Sequence, residues 1–267
     1  MIFSYTQIAH YVRCPRSYRL RYLDGWQEKE TRAAMLFGRC FEKAIASSFL
    51  GKDCGATLFD EWSAYREAPM HFKDGESWDK FLHQGIRLME QFARDNRIRV
   101  PDPERNLQLK VERHISPADS FIAFVDAIGE MDGTPCLVDW KTTSSRYSET
   151  PQGLLALDPQ LLCYSWITGI AEVAFVVFVR KNHPEIQYLR ASISDDQRKE
   201  FGALVHSTVL QIQSAQFASH PGIRFPQNGC VTCPYLGLCL GNQQLIETNL
   251  IRNAGANELA WVDELVG

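Results

Sequence analysis

Phe121-Ile122-Ala123-Phe124-Val125-Asp126 and, shortly after it, Cys136-Leu137-Val138-Asp139-Trp140-Lys141-Thr142 decide how this chain folds. Each is an apolar run that ends on a carboxylate, and each reads as a strand, Phe121 to Ile128 and Pro135 to Lys141. Met131-Asp132-Gly133-Thr134 between them has the composition of a tight turn, so the two strands form a hairpin. Side chains alternate along a strand. Asp139 and Lys141 therefore share a face, and Trp140 points the other way. Asp126, on the partner strand, comes close to Asp139. A carboxylate so placed is costly unless it is paired or binds a metal. Two carboxylates and a lysine on one sheet face can hold a hard divalent cation such as Mg²⁺ or Mn²⁺. Such a cation neutralises a phosphate and activates water, while the lysine stabilises negative charge that develops. A lone Asp-x-Lys triplet is usually a surface ion pair; the apolar strands around this one give it weight.

Downstream, Asp158-Pro159 is a helix start that runs to Gly169, with Gln160 and Tyr164 on one face. Val173 to Val179 reads as a strand buried on both faces, and Ile186 to Ile193 as another. Ser194 and Gln197 form a capping box for a helix with Phe201, Leu204, Val205, Thr208, Val209 and Ile212 on one side. Upstream, Ser4-Tyr5-Thr6-Gln7 caps a helix that stops near Cys14-Pro15, and Arg16 to Tyr22 starts a second helical piece. Gly38 to Leu50 is helical by spacing. Gly51 to Gly75 is expected to be irregular, an insertion or lid. Trp78 to Phe92 is a long amphipathic helix. After Pro101-Asp102-Pro103, alternation of Leu107, Leu109 and Val111 predicts a strand, with Glu112 on its polar side. The order gives an α/β (α+β) fold with a mixed central sheet flanked by helices.

The net charge of -4 over 267 residues argues against a general polyanion-coating protein, though local charge governs nucleic-acid binding. The longest apolar run, Val173 to Val179, is too short to span a membrane. The N-terminus lacks a signal-peptide layout, so a cytoplasmic protein is expected. No Gly-x4-Gly-Lys-Ser/Thr loop occurs, so any unwinding of DNA would come from a partner. Eight cysteines in a reducing compartment point to metal or redox chemistry. Cys40, Cys54, Cys136 and Cys163 are scattered. Cys230-x2-Cys233-x5-Cys239 has ligand spacing, and Cys14 is a plausible fourth thiolate. A clip between them would close almost the whole chain. Zinc and a [4Fe-4S] cluster both accept four thiolates. Arg13, Arg16, Arg19 and Arg21 form either a phosphate-binding strip or a solvated surface. Tyr22, Trp26 and Tyr235 read as base-stacking or packing residues.

Taken in order, these motifs resemble the PD-(D/E)XK nuclease superfamily, and within it the RecB-type and CRISPR-associated adaptation exonuclease branch. Ser4 to Tyr22 with Cys14-Pro15-Arg16 is like the family's N-terminus. Gly38-Arg39-Cys40-Phe41-Glu42 resembles its helical motif, Phe124 to Ile128 its aspartate strand, Val138 to Thr142 its Asp/Glu-x-Lys strand, and Gln160 to Tyr164 the helix that follows. The resemblance implies a restriction-endonuclease-like domain over 1–240, with a helical insertion at about 51–100. It also implies N- and C-terminal segments joined at a four-cysteine cluster. The tail 241–267 has no assigned role; its Leu250, Ile251, Leu259, Trp261 and Leu265 are candidates for docking on the body or a partner. Glu42, Asp126, Asp139 and the Trp140 carbonyl would hold Mg²⁺ or Mn²⁺, Lys141 would activate water, and Gln160 and Tyr164 would support the substrate. Cys14, Cys230, Cys233 and Cys239 would carry a structural [4Fe-4S] cluster. Glu42 stands where the family has histidine, and is a sound ligand for hard cations. The implied activity is phosphodiester hydrolysis, as an exonuclease on single-stranded DNA or free ends, in DNA repair, recombination or CRISPR adaptation. A helicase or CRISPR adaptation protein is the implied partner. The alternatives are a non-catalytic nucleic-acid-binding subunit and a zinc-stapled protein with no nucleic-acid role.

Overall fold

The computed structural model describes residues 1–219 and 229–253. The chain divides into two compact units. One comprises Thr31–Arg113 and Ile122–Gly202; the other is built from both ends of the chain, Met1–Glu30 and the segment from Ala203 on, with His114–Phe121.

The first unit begins with helices α1 (Ala33–Phe49), α2 (Cys54–Ser63) and α3 (Trp78–Ala93). Helix α2 corrects the irregular segment expected over Gly51 to Gly75. Asp53 caps it by accepting from the Ala56 N–H, and it buries only Leu58 and Trp62. Two core residues in ten are too few for a helical period to be read from sequence. Trp62 and Trp78 stack, and each indole N–H donates to the other residue's carbonyl.

The hairpin follows as β1 (Asp119–Met131) and β2 (Thr134–Thr143). Its turn residues Asp132 and Gly133 both have positive φ, 52° and 79°, the geometry whose twist suits two adjoining strands. Helix α4 (Pro159–Thr168) is the crossover that lets β3 (Glu172–Val179) lie parallel to β2. Strand β4 (Glu185–Ser192) pairs antiparallel with β3. The two faces of this sheet differ in kind. Ala127, Val138, Trp140, Val176 and Phe178 pack with Phe37 and Phe41 of α1 and Phe92 of α3 in the main core. Trp140 lies stacked on Phe49 with its edge to Phe92. Asp139 and Lys141 take the opposite face by alternation, the side of α4, which packs on β2 and β3.

In the second unit the Ser4–Gln7 capping box is present and the helix Tyr5–Arg13 ends at Cys14. The piece after it runs as Pro15–Tyr18 and a wider π turn, Arg19–Leu23. The chain ends are joined by backbone bonds. Leu250–Arg252 pairs antiparallel with Trp26–Glu28, and the Arg16 N–H donates to Ala218 O at 3.2 Å. Leu250 is buried, whereas Ile251 is exposed. Leu259, Trp261 and Leu265 lie outside the described residues. The last long helix, Asp195–Gln213, begins in the first unit and continues into the second; it has its Ser194/Gln197 capping box and buries Phe201, Val205, Thr208, Val209 and Ile212. Leu204, expected on that face, is exposed, because it falls at the edge of the stripe. Among the described residues no helix is long and apolar enough to cross a membrane.

Gly129 of β1 is where another backbone comes closest: a Cβ there would lie 2.5 Å from Arg99 O. Backbone cannot give way as a side chain can. Gly129→Ala is expected to lower stability by about 1–3 kcal/mol, as overpacking does. An unchanged urea midpoint would show that Ile98–Arg99 does not press on β1.

Candidate active site

The β1–β2 ladder runs from Met131↔Thr134 to Ala127↔Val138. From Asp139 onward β2 keeps its register with β3, with Asp139 opposite Phe175 and Lys141 opposite Val177. The Trp140 N–H at this fork donates to Asp126 Oδ2 at 2.9 Å. A side-chain carboxylate thus replaces a ladder carbonyl, and this draws Asp126 toward Asp139.

Asp139 is fully buried. Neither of its carboxylate oxygens has a well-directed hydrogen bond, although Lys141 Nζ lies 2.6 Å from Oδ2. That contact is a close ion pair, and the Tyr164 hydroxyl also favours the ionised carboxylate. Lys141 Nζ donates to Gln160 Oε1 at 2.8 Å, and Gln160 Nε2 donates to the Tyr164 hydroxyl at 2.8 Å. Gln160 is placed by the helix start: Asp158 accepts from the N–H groups of Gln160 and Leu161. Asp139, Lys141, Gln160 and Tyr164 therefore form one connected line from strand to helix.

Burial pushes the Asp126 carboxyl well above its usual range, and the charges of Asp139 and Glu42 add to this against the pull of Lys141. Burial also raises Asp139, opposed by Lys141. Glu42 is pushed up to about 7, by burial first and by Asp139 second. Burial works against the Lys141 ammonium, but Asp139 and Asp126 outweigh it and its pKa rises. Burial, with Asp126 and Asp139 beside it, raises Tyr164 well above the phenol range. Three carboxylates act electrostatically on one ammonium, and Asp139 is the one in contact with it.

The donors are all oxygens, the set that hard divalent cations take, and both Asp139 oxygens are buried, with the Lys141 ammonium beside Oδ2. Among the described residues, however, no group of three or more His, Cys, Asp or Glu side chains is arranged to hold a metal ion. Glu42, Asp126 and Asp139 feel one another electrostatically, while Lys141 balances Asp139 and the Trp140 N–H balances Asp126. Glu112 is exposed on its strand. Phe175, which reads in sequence only as a core residue of an apolar run, brings its ring within 5.4 Å of Lys141 Nζ.

The four cysteines expected as ligands lie in the second unit, Cys14, Cys230 and Cys233 half-buried and Cys239 exposed. Burial raises the Cys233 thiol, and Cys14 and Cys239 raise it further. Burial also raises Cys239, with Arg16 opposing and Cys14 and Cys230 adding. The four share one electrostatic neighbourhood without forming a metal-holding group. Tyr235 is buried near His10, and Tyr22 packs edge-on to the same ring, which is the packing reading of these aromatics. Arg13, Arg16 and Arg19 are exposed, with Arg19 3.4 Å from Asp24.

Residues 2–240 match the PD-(D/E)XK nuclease superfamily. The chain belongs to that superfamily. The match spans both the helical motif of α1 and the fork of the hairpin. A protein of Eubacterium rectale, provisionally named an exonuclease, has a similar fold, with 14% identity, a TM-score of 0.51, and 86% of this chain and 87% of that chain covered. SSO0001 is 16% identical over 90% of this chain and 86% of its own, at a TM-score of 0.41. No curated protein matches the sequence.

The raised carboxylates set a sign for pH dependence. The folded protein keeps the Glu42 proton to about 7, whereas the unfolded chain releases it near 4.5. Protons bound in excess by the folded state mean stability that is present below 4.5 and lost as pH rises through about 7. In metal-free buffer Glu42→Gln should therefore melt above wild type at pH 8, with the gap closing toward pH 4.5. Thermal melts over that range check this; a gap that widens toward acid would contradict it.

Proposed function

We propose that the chain is a metal-dependent deoxyribonuclease acting on single-stranded DNA or free DNA ends. The observation that carries this reading is Asp139, a buried carboxylate without a directed hydrogen bond, beside Asp126 at a strand fork in a chain of the nuclease superfamily. Glu42, Asp126, Asp139 and the Trp140 carbonyl would hold Mg²⁺ or Mn²⁺. When bound, such a cation supplies charge for the scissile phosphate and acidifies its water. Lys141 orients the attacking water and stabilises its negative charge. Gln160 holds the lysine, and Tyr164 holds Gln160, so α4 sets the direction of the ammonium. The hydrolysed bond is the phosphodiester P–O bond; water supplies the hydroxyl to phosphorus and the proton to the leaving oxygen. With oxygen ligands throughout, Glu42 in place of histidine favours Mg²⁺ and Mn²⁺ over softer metals. The expected setting is the cytoplasm, in DNA repair, recombination or CRISPR adaptation, with a helicase or adaptation protein as partner.

Labelled single-stranded DNA with Mn²⁺ tests the site. Asp139→Ala and Lys141→Ala should each lower cleavage by about 10²–10³-fold, the usual loss when one transition-state charge partner is removed. Wild-type rates in both would sink the assignment. The second reading, a non-catalytic DNA-binding subunit, is favoured by Lys141 lying on Asp139, where a cation would sit. It predicts that wild type binds the oligonucleotide and leaves it uncut in Mn²⁺.

On the same proposal Cys14, Cys230, Cys233 and Cys239 carry a structural [4Fe-4S] cluster, supported by their spacing and shared field. Anaerobically purified protein should be brown, with four irons and four sulfides per chain, as that cluster type requires, and broad absorbance at about 400 nm. Colourless protein holding one zinc would replace iron–sulfur with a zinc staple.

A further inference from the structure

A cleft of about 680 Å³ opens beside the site, between the 144–153 loop, the turn Leu154–Leu157 and strands β3 and β4. That volume lies within the roughly 300–1,000 Å³ of small-molecule pockets. Its floor begins at the catalytic face. Asp139 is opposite Phe175, and Phe175 is opposite Leu189, so the three side chains form a row across neighbouring strands. Each step is about 4.8 Å. The Phe175 ring also lies 5.4 Å from Lys141 Nζ. Tyr147 stands edge-on to Phe175, with centroids 5.9 Å apart, and keeps 37% of its surface exposed.

Tyr147 is held there deliberately by a buried side chain. Gln187, 4% exposed, accepts from the Tyr147 N–H at 3.0 Å and donates to its carbonyl at 2.9 Å. Its carboxamide thus pairs with the Tyr147 backbone as an added strand would. Opposite, Leu154 and Leu157 leave 42% and 65% of their surface in water. The charged residues of the cleft are committed elsewhere. Arg146 pairs with Glu149 and Glu185, Asp158 caps α4, and Arg190 donates to the Met131 carbonyl. Tyr147, Pro151, Leu154, Leu157 and Phe175 give the cleft aromatic and aliphatic walls, which suit a flat heterocycle.

We infer that this cleft receives the base of an unpaired nucleotide adjoining the phosphate at Asp126 and Asp139, stacked on Tyr147 under the Leu154–Leu157 rim. The inference deepens the nuclease reading and rests on it. A base inside a duplex is covered by stacking and pairing, whereas a splayed single-strand base offers its face to an aromatic side chain. The cleft would therefore select single-stranded over double-stranded ends, with Gln187 as the positioning residue.

The test uses the full chain and a fluorescein-labelled single-stranded oligonucleotide, read by anisotropy in Ca²⁺ and by cleavage in Mn²⁺. Tyr147→Ala should weaken single-strand binding about 5- to 150-fold, the worth of one base–aromatic stack, and Tyr147→Phe should restore it. Leu157→Glu, at an exposed rim position that cannot unfold the core, should weaken binding in the same direction. Blunt duplex binding should not change in any of the three. If wild type cleaves and Tyr147→Ala binds single strands as wild type does, the cleft inference falls and the nuclease reading stands. If wild type binds without cleaving and Tyr147→Ala still loses affinity, the cleft stands and the nuclease reading falls. Absence of single-strand binding by wild type overturns both.

Discussion

Where β1 and β2 part, a backbone N–H inside the fold needs a partner that no neighbouring strand supplies. Asp126 meets that need through Trp140, and the rest of the site follows from it. An unpaired buried N–H costs about as much as a lost hydrogen bond. Satisfying it with a carboxylate brings a negative charge next to Asp139, which is itself buried. Burying an ion costs several kcal/mol, of the order seen for real proteins after relaxation. The protein answers with raised carboxyl pKa values and with a lysine drawn into the same pocket. The site is a place of stored electrostatic demand, and on the proposed reading a divalent cation would satisfy it.

The sheet makes this arrangement affordable by dividing its labour between faces. Trp140, one residue from both Asp139 and Lys141, sits among Phe49 and Phe92 in the apolar core. The core side anchors the strand, and the polar side is thereby held to the geometry of the backbone. Gln160 and Tyr164 add a second constraint from α4, whose own start is held by Asp158. Rigidity comes from the strand and the helix rather than from a loop.

What could be read from sequence divides along physical lines. Strand alternation, the Asp-Gly turn, the Asp158-Pro159 start and the capping boxes are local signals, and the structure has them where they were expected. Period and order put Asp139 with Lys141 and Gln160 with Tyr164, and the structure brings the four side chains into one line. Helix α2 was missed because its two buried residues leave no period to see. Phe175 and Tyr147 were missed for the opposite reason: one is indistinguishable from core, and the other owes its position to Gln187, forty residues away. Leu204 shows that a helical stripe is narrower than the run of apolar residues that marks it. The approach of Cys14 to the C-terminal cysteines depends on tertiary contacts, so spacing alone could indicate the set and not its closure.

The unit built from both ends of the chain imposes an order on folding during synthesis. Residues 1–30 leave the ribosome well before the segment from Ala203 on that completes their unit. At translation rates of about 5–20 residues per second the delay is on the order of ten seconds or more. The candidate active-site face lies in the intervening segment and can form first. Trp26–Glu28 must wait for Leu250–Arg252 as an unpaired edge strand, the kind of surface that recruits wrong partners. A chain cut short before Leu250 would keep its candidate site residues and leave that edge permanently open.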